Sequence, residues 1–409
     1  MEFKHKKYKK IFNTYDNKIY ENTNIDEKKF NLLCSKYSYL PTFIKKVDRI
    51  IGIGDIHGDL DLTINFLKVG KLIIEINKNE FIEGDCIKIP KNMNKKQFQE
   101  NYNNLSDILL KNINGTFNNN DFNYFKWIGN NTYVVQIGDQ IDRCRPFNNS
   151  DCSEKNITID DENSDLLIME IFDCLHKIAI KYNGAVYSLI GNHEVMNFDG
   201  DFRYVSHRGI DDYKNNNNLI DERNDEFNKL RIKFACTRNA IIVIGNFVFV
   251  HGGLAHLLIS KYKLQDINDI IRLYILNKFE NIKDNDIKKF YKKIVNSTSI
   301  SPLWYRNLAM IKPDIPNNNY YDDDCKTYYE PVEKYFKDEN ILEMKGLIIG
   351  HTPQLSIHNK GINTACNKKI IRIDIGASKA FNKIFKNDDI NRKPQVIEII
   401  NNNDINILI

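Results

Sequence analysis

Short apolar, β-branched runs along the chain alternate with amphipathic stretches. The runs predict strands over residues 47–54, 72–76, 133–138, 185–191, 346–350, 370–375 and 396–400. Amphipathic spacing predicts helices over residues 60–69 and 165–182, and a mostly helical segment over 255–300. The apolar runs 240–244 and 247–250 flank Gly245 and Asn246, which predicts a β-hairpin. Because strands and helices alternate early and strands dominate later, the sequence predicts a layered α/β or α+β domain.

Two segments lack this pattern. Residues 1–45 show no clear strand signal, and we interpret them as an N-terminal arm with some helix. Residues 78–126 are polar, rich in asparagine and irregular, apart from a helix-like stretch near 98–110. A long polar segment between core strands is typical of an insertion or a surface subdomain. The predicted domain therefore spans residues 46–409 and carries an insertion at about 78–126.

Charge and hydropathy exclude two classes of partner. The 409 residues include 58 Lys+Arg and 54 Asp+Glu, a net charge of +4, which is too small for the dense basic patch of a nucleic-acid-binding protein. No apolar run approaches the ~18–20 residues of a membrane-spanning helix, so no membrane association is predicted. The basic N-terminus lacks the apolar stretch of a secretory signal. We therefore expect a soluble, cytoplasmic protein.

The eight cysteines are scattered, and none forms a C-x-x-C pair. This spacing argues against a zinc ribbon or a thioredoxin-type site, and the expectation is that the cysteines are reduced and buried. Cys144 and Cys152 flank a short loop in which a disulfide is geometrically possible. An intracellular chain favours thiols at this pair.

Five glycine-containing motifs follow predicted strands. They are Gly-Asp-Ile-His-Gly at 54–58, Gly-Asp-Gln-Ile-Asp-Arg at 138–143, Gly-Asn-His-Glu at 191–194, His-Gly-Gly at 251–253 and Gly-His-Thr at 350–352. Each motif alone is an ordinary loop, but together they hold seven of the 19 glycines and four of the nine histidines. Ligands gather beyond the carboxyl ends of strands in α/β sheets, on tight loops that glycine permits. The combined pattern therefore predicts one functional site.

The order of these motifs resembles the calcineurin-like metallophosphoesterase superfamily, in its phosphoprotein-phosphatase branch. Longer segments at 191–205, 302–306, 350–354 and 372–378 resemble the Shewanella-like protein phosphatases. The segments characteristic of the eukaryotic serine/threonine phosphatases, Arg-Ala-His-Gln and a SAPNY-like sequence, are absent from the chain. The resemblance covers residues 47–381, interrupted by the polar insertion.

This resemblance implies a fold and an activity. The fold would be an α/β, calcineurin-like metallophosphoesterase fold, whose central β-sandwich of two mixed sheets is flanked by helices. The activity would be that of a metal-dependent phosphatase hydrolysing phosphomonoesters, with phosphorylated protein or peptide as substrate and a metal-bridging hydroxide as nucleophile. One departure concerns Cys144, which stands where the family commonly has a glycine.

The side chains of the motifs are suited to binding metal. They offer oxygen and imidazole donors without thiolate, which favours Mn, Fe or Zn over a structural zinc site or a calcium site. Two such ions can share one carboxylate and lower the pKa of a bridging water. The resemblance implies Asp139 as the bridging ligand. It also implies two sets of further ligands, Asp55 with His57 at one ion, and Asn192, His251 and His351 at the other.

Other motif residues would handle the substrate. His193 follows Asn192 on a segment predicted to be extended, so the two side chains diverge. Asn192 then faces metal and substrate, while His193 faces the leaving oxygen as general acid. Asp142 is the predicted partner that orients the His193 ring. Arg143 and Arg306 would hold the phosphoryl oxygens, where a planar guanidinium fits better than an ammonium.

Two other functions share much of this pattern. A dinucleoside polyphosphate hydrolase or another metallophosphoesterase, such as a nuclease, would keep the same ligands and differ in its substrate loops. The Trp-Tyr-Arg segment at 304–306 and the Arg-Tyr-Val segment at 203–205 favour the protein phosphatase. A non-catalytic scaffold on the same fold would lack metal ligands, whereas every expected ligand type is present in this chain.

Overall fold

Two mixed β-sheets form the centre of the protein in a computed structural model, which describes residues 23–91, 105–111, 122–147, 150–211, 219–315, 323–385 and 389–409. In spatial order, the larger sheet contains β1 (Phe43–Ile44), β8 (Ile241–Ile244), β9 (Phe247–Val250), β10 (Gly346–Ile349), β12 (Ile370–Arg372) and β11 (Asn363–Ala365). The other sheet contains β14 (Asp404–Leu408), β13 (Val396–Ile400), β2 (Arg49–Ile53), β6 (Tyr133–Gln136) and β7 (Ala185–Ser188). All seven predicted strands and the predicted hairpin are confirmed.

The two sheets pack face to face. One buried cluster contains side chains from both sheets. The five-stranded sheet contributes Ile50 on β2, Val135 on β6 and Leu189 directly after β7, and the six-stranded sheet contributes Phe249 and Ile348. Each of these side chains is at most 1% exposed. A strand buried on both faces needs apolar residues at successive positions rather than alternation, which explains the continuous apolar runs in the sequence. The predicted central β-sandwich is therefore confirmed.

Helices cover the outer faces of the sheets. Their bounds are α1 Thr23–Cys34, α2 Leu60–Val69, α3 Leu105–Leu110, α4 Asp165–Ala179, α5 Asn192–Phe198, α6 His207–Asp211, α7 Leu219–Thr237, α8 His256–Ile259, α9 Leu264–Ile275, α10 Asn285–Asn296, α11 Asn307–Met310, α12 Glu330–Asp338 and α13 Gln354–Ile357. The predicted helix 60–69 coincides with α2, and Asp59 caps it by accepting the Leu62 N–H at 3.1 Å. The predicted helix 165–182 consists of α4 and a closing 3₁₀ turn.

The polar segment 78–126 is more regular than its composition indicates. Strands β4 (Cys86–Pro90) and β5 (Phe122–Trp127) lie in it and pair antiparallel with each other. Strand β3 (Ile73–Ile76) completes this three-stranded sheet. The expectation of irregular chain is wrong for β4 and β5, because lysine and asparagine interrupt their apolar positions and hide the strand pattern. Of the helix-like stretch 98–110, the structure describes α3, and the earlier residues lie outside the described ones.

The segment predicted as an N-terminal arm also contributes to the fold. Strand β1 pairs parallel with β8 at the edge of the six-stranded sheet. Helix α1 places Phe30 and Cys34 in the main hydrophobic cluster, where both are 1% exposed. No signal in residues 1–45 indicated this strand, since two residues are too few to show a periodic pattern. The division between arm and catalytic domain stays a prediction.

Six of the eight cysteines form disulfides: Cys34–Cys236, Cys144–Cys152 and Cys325–Cys366. The expectation of reduced cysteines is therefore wrong for these six, including the pair at 144 and 152. The remaining two, Cys86 and Cys174, are buried thiols. Two of the bridges join residues 202 and 41 positions apart, a proximity that arises only in the folded chain. None of the described helices is both long and apolar enough to cross a bilayer.

We predict that the Cys34→Ala, Cys236→Ala double variant is less stable than the wild type by about 2–5 kcal/mol, because the bridge between α1 and α7 closes a very long loop of the unfolded chain. Urea denaturation measures the difference. The control is Cys86→Ala, which removes a buried thiol and no crosslink, and which should lose less stability. Mass spectrometry of the non-reduced, thiol-blocked protein should find a Cys34–Cys236 peptide, and its absence would contradict the prediction.

Candidate metal centre

Six strands end at one common edge of the sandwich. Strands β2, β6 and β7 run parallel to one another in the five-stranded sheet, and β9, β10 and β12 do so in the six-stranded sheet. The carboxyl ends of each set of three therefore lie at the same edge of its sheet. A hydrogen bond joins the two edges. The Asp55 carboxylate, on the loop after β2, accepts the N–H of His351, on the loop after β10, at 3.0 Å. All five motifs follow strands of these two sets.

Glycine precedes the ligands because neighbouring carboxylates fill the space that a side chain would need. A Cβ atom on Gly191 would lie 2.2 Å from Oδ1 of Asp139. A Cβ atom on Gly350 would lie 2.4 Å from Oδ1 of Asp55. Both distances are far below van der Waals contact, so any other residue at these positions would displace a carboxylate of the site. The glycines of the motifs thus allow loops from different strands to approach one another.

Four polar residues of the site have left-handed backbone. The φ angles are +50° at His57, +53° at Asp139, +71° at Asp142 and +64° at His351. For residues other than glycine this conformation costs of order 1 kcal/mol each, and surrounding contacts must hold it. The His57 N–H donates to the Asp139 carbonyl at 3.0 Å, which is one such contact. Strained turns at the strand ends aim the side chains into the common space.

The carboxylate of Asp139 belongs to two groups of potential metal ligands. In one group its Oδ2 atom lies 4.0 Å from Nε2 of His57 and 3.8 Å from Nε2 of His193. In the other group the same oxygen lies 3.2 Å from Nε2 of His251, and His351 completes the set. All five side chains are buried. A carboxylate shared by two donor groups has the arrangement that a bridging ligand requires.

Unpartnered donor atoms indicate that these groups fit metal ions. Oδ1 of Asp55 and Nε2 of His351 are buried and have no hydrogen-bond partner. Buried polar atoms normally find a partner, and a bound ion is one explanation for an orphan of this kind. Oδ1 of Asn192 lies 3.0 Å from Nε2 of His251, so the amide joins the second group. The six predicted ligands converge, and their oxygen and nitrogen donors suit two ions of the Mn, Fe or Zn type.

The protonation tendencies of His57, His351 and Asp139 agree with metal binding. Burial lowers the pKa of His57 and of His351, in each case assisted by a neighbouring arginine, which keeps both imidazoles neutral as ligation requires. Burial alone would raise the pKa of Asp139, but His251 and His193 outweigh it and hold that pKa well below its usual range. Burial, together with repulsion from other carboxylates, raises the pKa of Asp55.

Glu194 ties the loops after β6 and β7 together. Its carboxylate accepts the N–H groups of Asp139 at 3.0 Å, Gln140 at 2.8 Å and Gly191 at 2.8 Å. The side chain is fully buried, and burial raises its pKa. Because three backbone donors share one carboxylate, Glu194 fixes the backbone that carries Asp139 without contacting the ligand groups itself.

His193 is held by a chain of hydrogen bonds. Its Nδ1 atom lies 2.7 Å from Oδ2 of Asp142, the partner predicted for it. Asn197 donates to the other Asp142 oxygen at 2.9 Å, and Arg223 donates to Asn197 at 2.8 Å. The expected extended segment is wrong here, because Asn192 and His193 are the first residues of helix α5. That helical spacing is the signal which would have found Asn197, four residues after His193.

The two predicted phosphate-binding arginines differ in their surroundings. Arg143 does not reach the ligand groups: its guanidinium is buried and donates to the Gly58 carbonyl at 2.8 Å and to Glu162 at 2.9 Å. The same side chain also holds the loop at 158–163, where Nε and Nη2 donate to the Asp160 carbonyl at 3.1 and 2.8 Å. Arg306 does border the site, donating to the His351 carbonyl at 2.8 Å. Arg145, which the sequence analysis did not single out, lies 2.7 Å from Nδ1 of His57.

Comparison with known proteins identifies relatives. The family model described as calcineurin-like phosphoesterase matches residues 48–355. Shewanella-like protein phosphatase 2 of Arabidopsis thaliana is 25% identical over 388 residues, covering 84% of this chain and 75% of that protein. Shewanella-like protein phosphatase 1 of Plasmodium berghei is 27% identical over 368 residues, covering 88% of this chain and 75% of that protein.

A viral relative and a solved structure are also similar. An uncharacterized protein of Acanthamoeba polyphaga mimivirus is 33% identical over 255 residues, which is 56% of this chain and 94% of that protein. The crystal structure of a cold-active protein-tyrosine phosphatase of a psychrophilic Shewanella species superposes with a TM-score of 0.50 at 17% identity, over 91% of this chain and 83% of that one. At this identity the structural likeness shows the fold.

We predict that metal binding stabilises the protein and depends on His351. Chelation should lower the Tm, and Mn²⁺ should restore it, because a ligand of the native state at 100 times its Kd adds about 2.7 kcal/mol. Elemental analysis should find fewer metal ions per chain in His351→Ala than in the wild type. The control is His256→Ala, an exposed histidine at the start of α8, which should keep the full content. Equal metal content in all three proteins would contradict the assignment of His351.

Proposed function

The chain belongs to the calcineurin-like phosphoesterases, and we propose that it is a metal-dependent phosphatase acting on phosphorylated proteins or peptides. The observation that carries the proposal is the convergence of the six metal-friendly side chains with the His193–Asp142 pair at one buried edge of the sandwich. Two relatives that match most of the chain are named protein phosphatases, which supports a phosphoprotein as substrate.

The proposed ligand sets share Asp139 but depart from the first donor group, in which His193 rather than Asp55 accompanies His57 and Asp139. Asp55 and His57 belong to one ion, while Asn192, His251 and His351 belong to the other, and Asp139 is shared. When bound, two ions of Mn, Fe or Zn would neutralise phosphate charge and lower the pKa of a water at the site. The chain itself holds the ligands in place through the His351 N–H bond to Asp55 and the His251 Nδ1 contact with the Ile137 carbonyl at 3.0 Å.

His193 is proposed as the general acid. Its Nδ1 atom donates to Asp142 at 2.7 Å, so the ring presents Nε2 to the ligand groups, where this atom lies 3.8 Å from Asp139. A protonated Nε2 can pass its proton to the leaving oxygen of the phosphoester when the bond to phosphorus breaks. The carboxylate of Asp142 orients the ring, and Asn197 keeps that carboxylate in place. Arg306 borders the same space and is proposed to contact the phosphoryl group.

We predict that the Mn²⁺-loaded protein hydrolyses phosphopeptides faster than a dinucleoside tetraphosphate. Parallel assays of phosphate release from both substrates measure this preference. Chelation should abolish the activity, and Mn²⁺ should restore it, because the metal ions would activate the attacking water. Faster hydrolysis of the dinucleoside tetraphosphate would favour the polyphosphate hydrolase instead. Hydrolysis of neither substrate would favour a non-catalytic scaffold, and full activity in a metal-free preparation would exclude the metal-dependent mechanism.

We predict that His193→Asn lowers kcat by ~10²–10⁴-fold on a phosphoserine peptide, the usual cost of losing a general acid. The loss should be smaller on 4-nitrophenyl phosphate, whose leaving group needs little protonation. Metal content, measured on the same preparation, should match the wild type. His256→Asn is the matched control and should keep full activity. Equal losses on both substrates would argue against the acid role, and loss of metal would make His193 a ligand.

A further inference from the structure

Arg145 lies against the candidate metal centre with one half of its guanidinium anchored. Its Nη1 atom donates to the backbone carbonyls of Asp142 at 3.0 Å and Cys144 at 2.7 Å. The rings of Tyr204 and Phe381 lie near the guanidinium carbon, with centroids at 5.4 Å and 4.8 Å. Contact with aromatic rings and two carbonyl acceptors restricts the guanidinium to one plane.

The other half of the guanidinium faces His57. Nη2 of Arg145 lies 2.7 Å from Nδ1 of that ring. If His57 binds metal through Nε2, its proton resides on Nδ1, and the Ile141 carbonyl at 3.3 Å is available to accept it. Nδ1 is then a donor and cannot accept from Nη2. The outer edge of Arg145 therefore needs an acceptor elsewhere in the site.

Arg145 places a cationic side chain beside the metal-ligand groups. Burial lowers the pKa of Arg145, while Asp139, Asp142 and Asp374 act in the opposite direction, and an arginine stays cationic under these conditions. Arg143 has no such donor to offer an anion, because its N–H groups already donate to Glu162 and to the backbone carbonyls of Gly58 and Asp160.

The backbone of the Arg145 loop is fixed in advance. The residue directly before it, Cys144, is bonded to Cys152 and donates its N–H to the Tyr204 carbonyl at 3.0 Å. Tyr204 in turn packs against the His193 ring, with centroids 5.0 Å apart. A side chain on a fixed loop loses less entropy when it binds a ligand, which is the advantage of preorganisation.

We propose that Arg145 is a phosphate-binding residue of this site, its Nη2 edge donating to a phosphoryl oxygen of the substrate while Nη1 stays on the backbone carbonyls. The assignment rests on the proposed function, since it concerns the phosphoryl group of the same site. It moves the role predicted for Arg143 to the arginine two positions later. Tyr204 and Phe381 keep the guanidinium plane turned toward the ligand groups.

Binding of inorganic phosphate to the Mn²⁺-loaded protein tests this directly. In isothermal titration calorimetry, Arg145→Ala should raise the phosphate Kd by roughly 10- to 100-fold, the loss expected for a hydrogen bond between charged partners. Arg145→Lys should recover only part of the affinity, because an ammonium cannot keep both the carbonyls and the phosphate. Arg208→Ala removes the same charge from an exposed arginine beside Asp161 and should leave the Kd unchanged.

Three measurements on the same preparations decide the outcome. Metal content should match the wild type in both Arg145 variants, and the Tm should show that each variant remains folded. An unchanged phosphate Kd in Arg145→Ala would overturn the proposal, and so would loss of bound metal, which would make Arg145 a support for His57 alone. If the wild type hydrolyses no phosphomonoester but its phosphate affinity still depends on Arg145, the proposed function fails while this assignment stands.

Discussion

Four carboxylates, those of Asp55, Asp139, Glu194 and Asp374, are buried together where the strands end. The electrostatic cost of burying them together determines which other groups the site needs. Burial raises the pKa of Asp55, Glu194 and Asp374, the last to about 6, and Asp139 adds repulsion in each case. One oxygen of Asp374 has no hydrogen-bond partner. Charges of one sign are stable in such a space only when cations or hydrogen-bond donors offset them. The negative charge is offset here by imidazoles, arginines and backbone N–H groups, and metal ions would offset it further.

The sandwich provides the donors by bringing loops from two sheets together. Parallel strands within each sheet end at the same edge, so a few residues after each strand suffice to build the site. The loops have little freedom, since Glu194 binds three of their N–H groups and several site residues have left-handed backbone. The apolar cluster between the sheets supports this strain, because neither sheet can shift without opening the core.

The sequence predicted those parts of the molecule that repeat a local pattern. The apolar runs predicted the core strands. The motifs predicted that Asp55 and His351 belong to one site, although 296 positions separate them. The different surroundings of Arg143 and Arg145 were not predictable, because both side chains are arginines on one loop and only the fold decides which of them lies beside His57. The disulfides were missed because they too depend on the fold: no local sequence pattern indicates that Cys34 lies beside Cys236. Strand β5 was hidden because Asn123 and Lys126 interrupt its apolar residues on opposite faces of the strand.

The position of β13 has a consequence for how the protein reaches its native state. This strand covers one edge of β2, and Arg49 of β2 donates to Glu398 of β13 at 2.8 Å, 349 positions later. Strands β2, β6 and β7 precede three of the five motifs. The ribosome therefore synthesises them long before β13, the second neighbour of β2 in the sheet. Until then β2 has an open edge, a template for pairing with other chains. Completion of the five-stranded sheet therefore comes late in synthesis, and pairing over so long a separation is intrinsically slow.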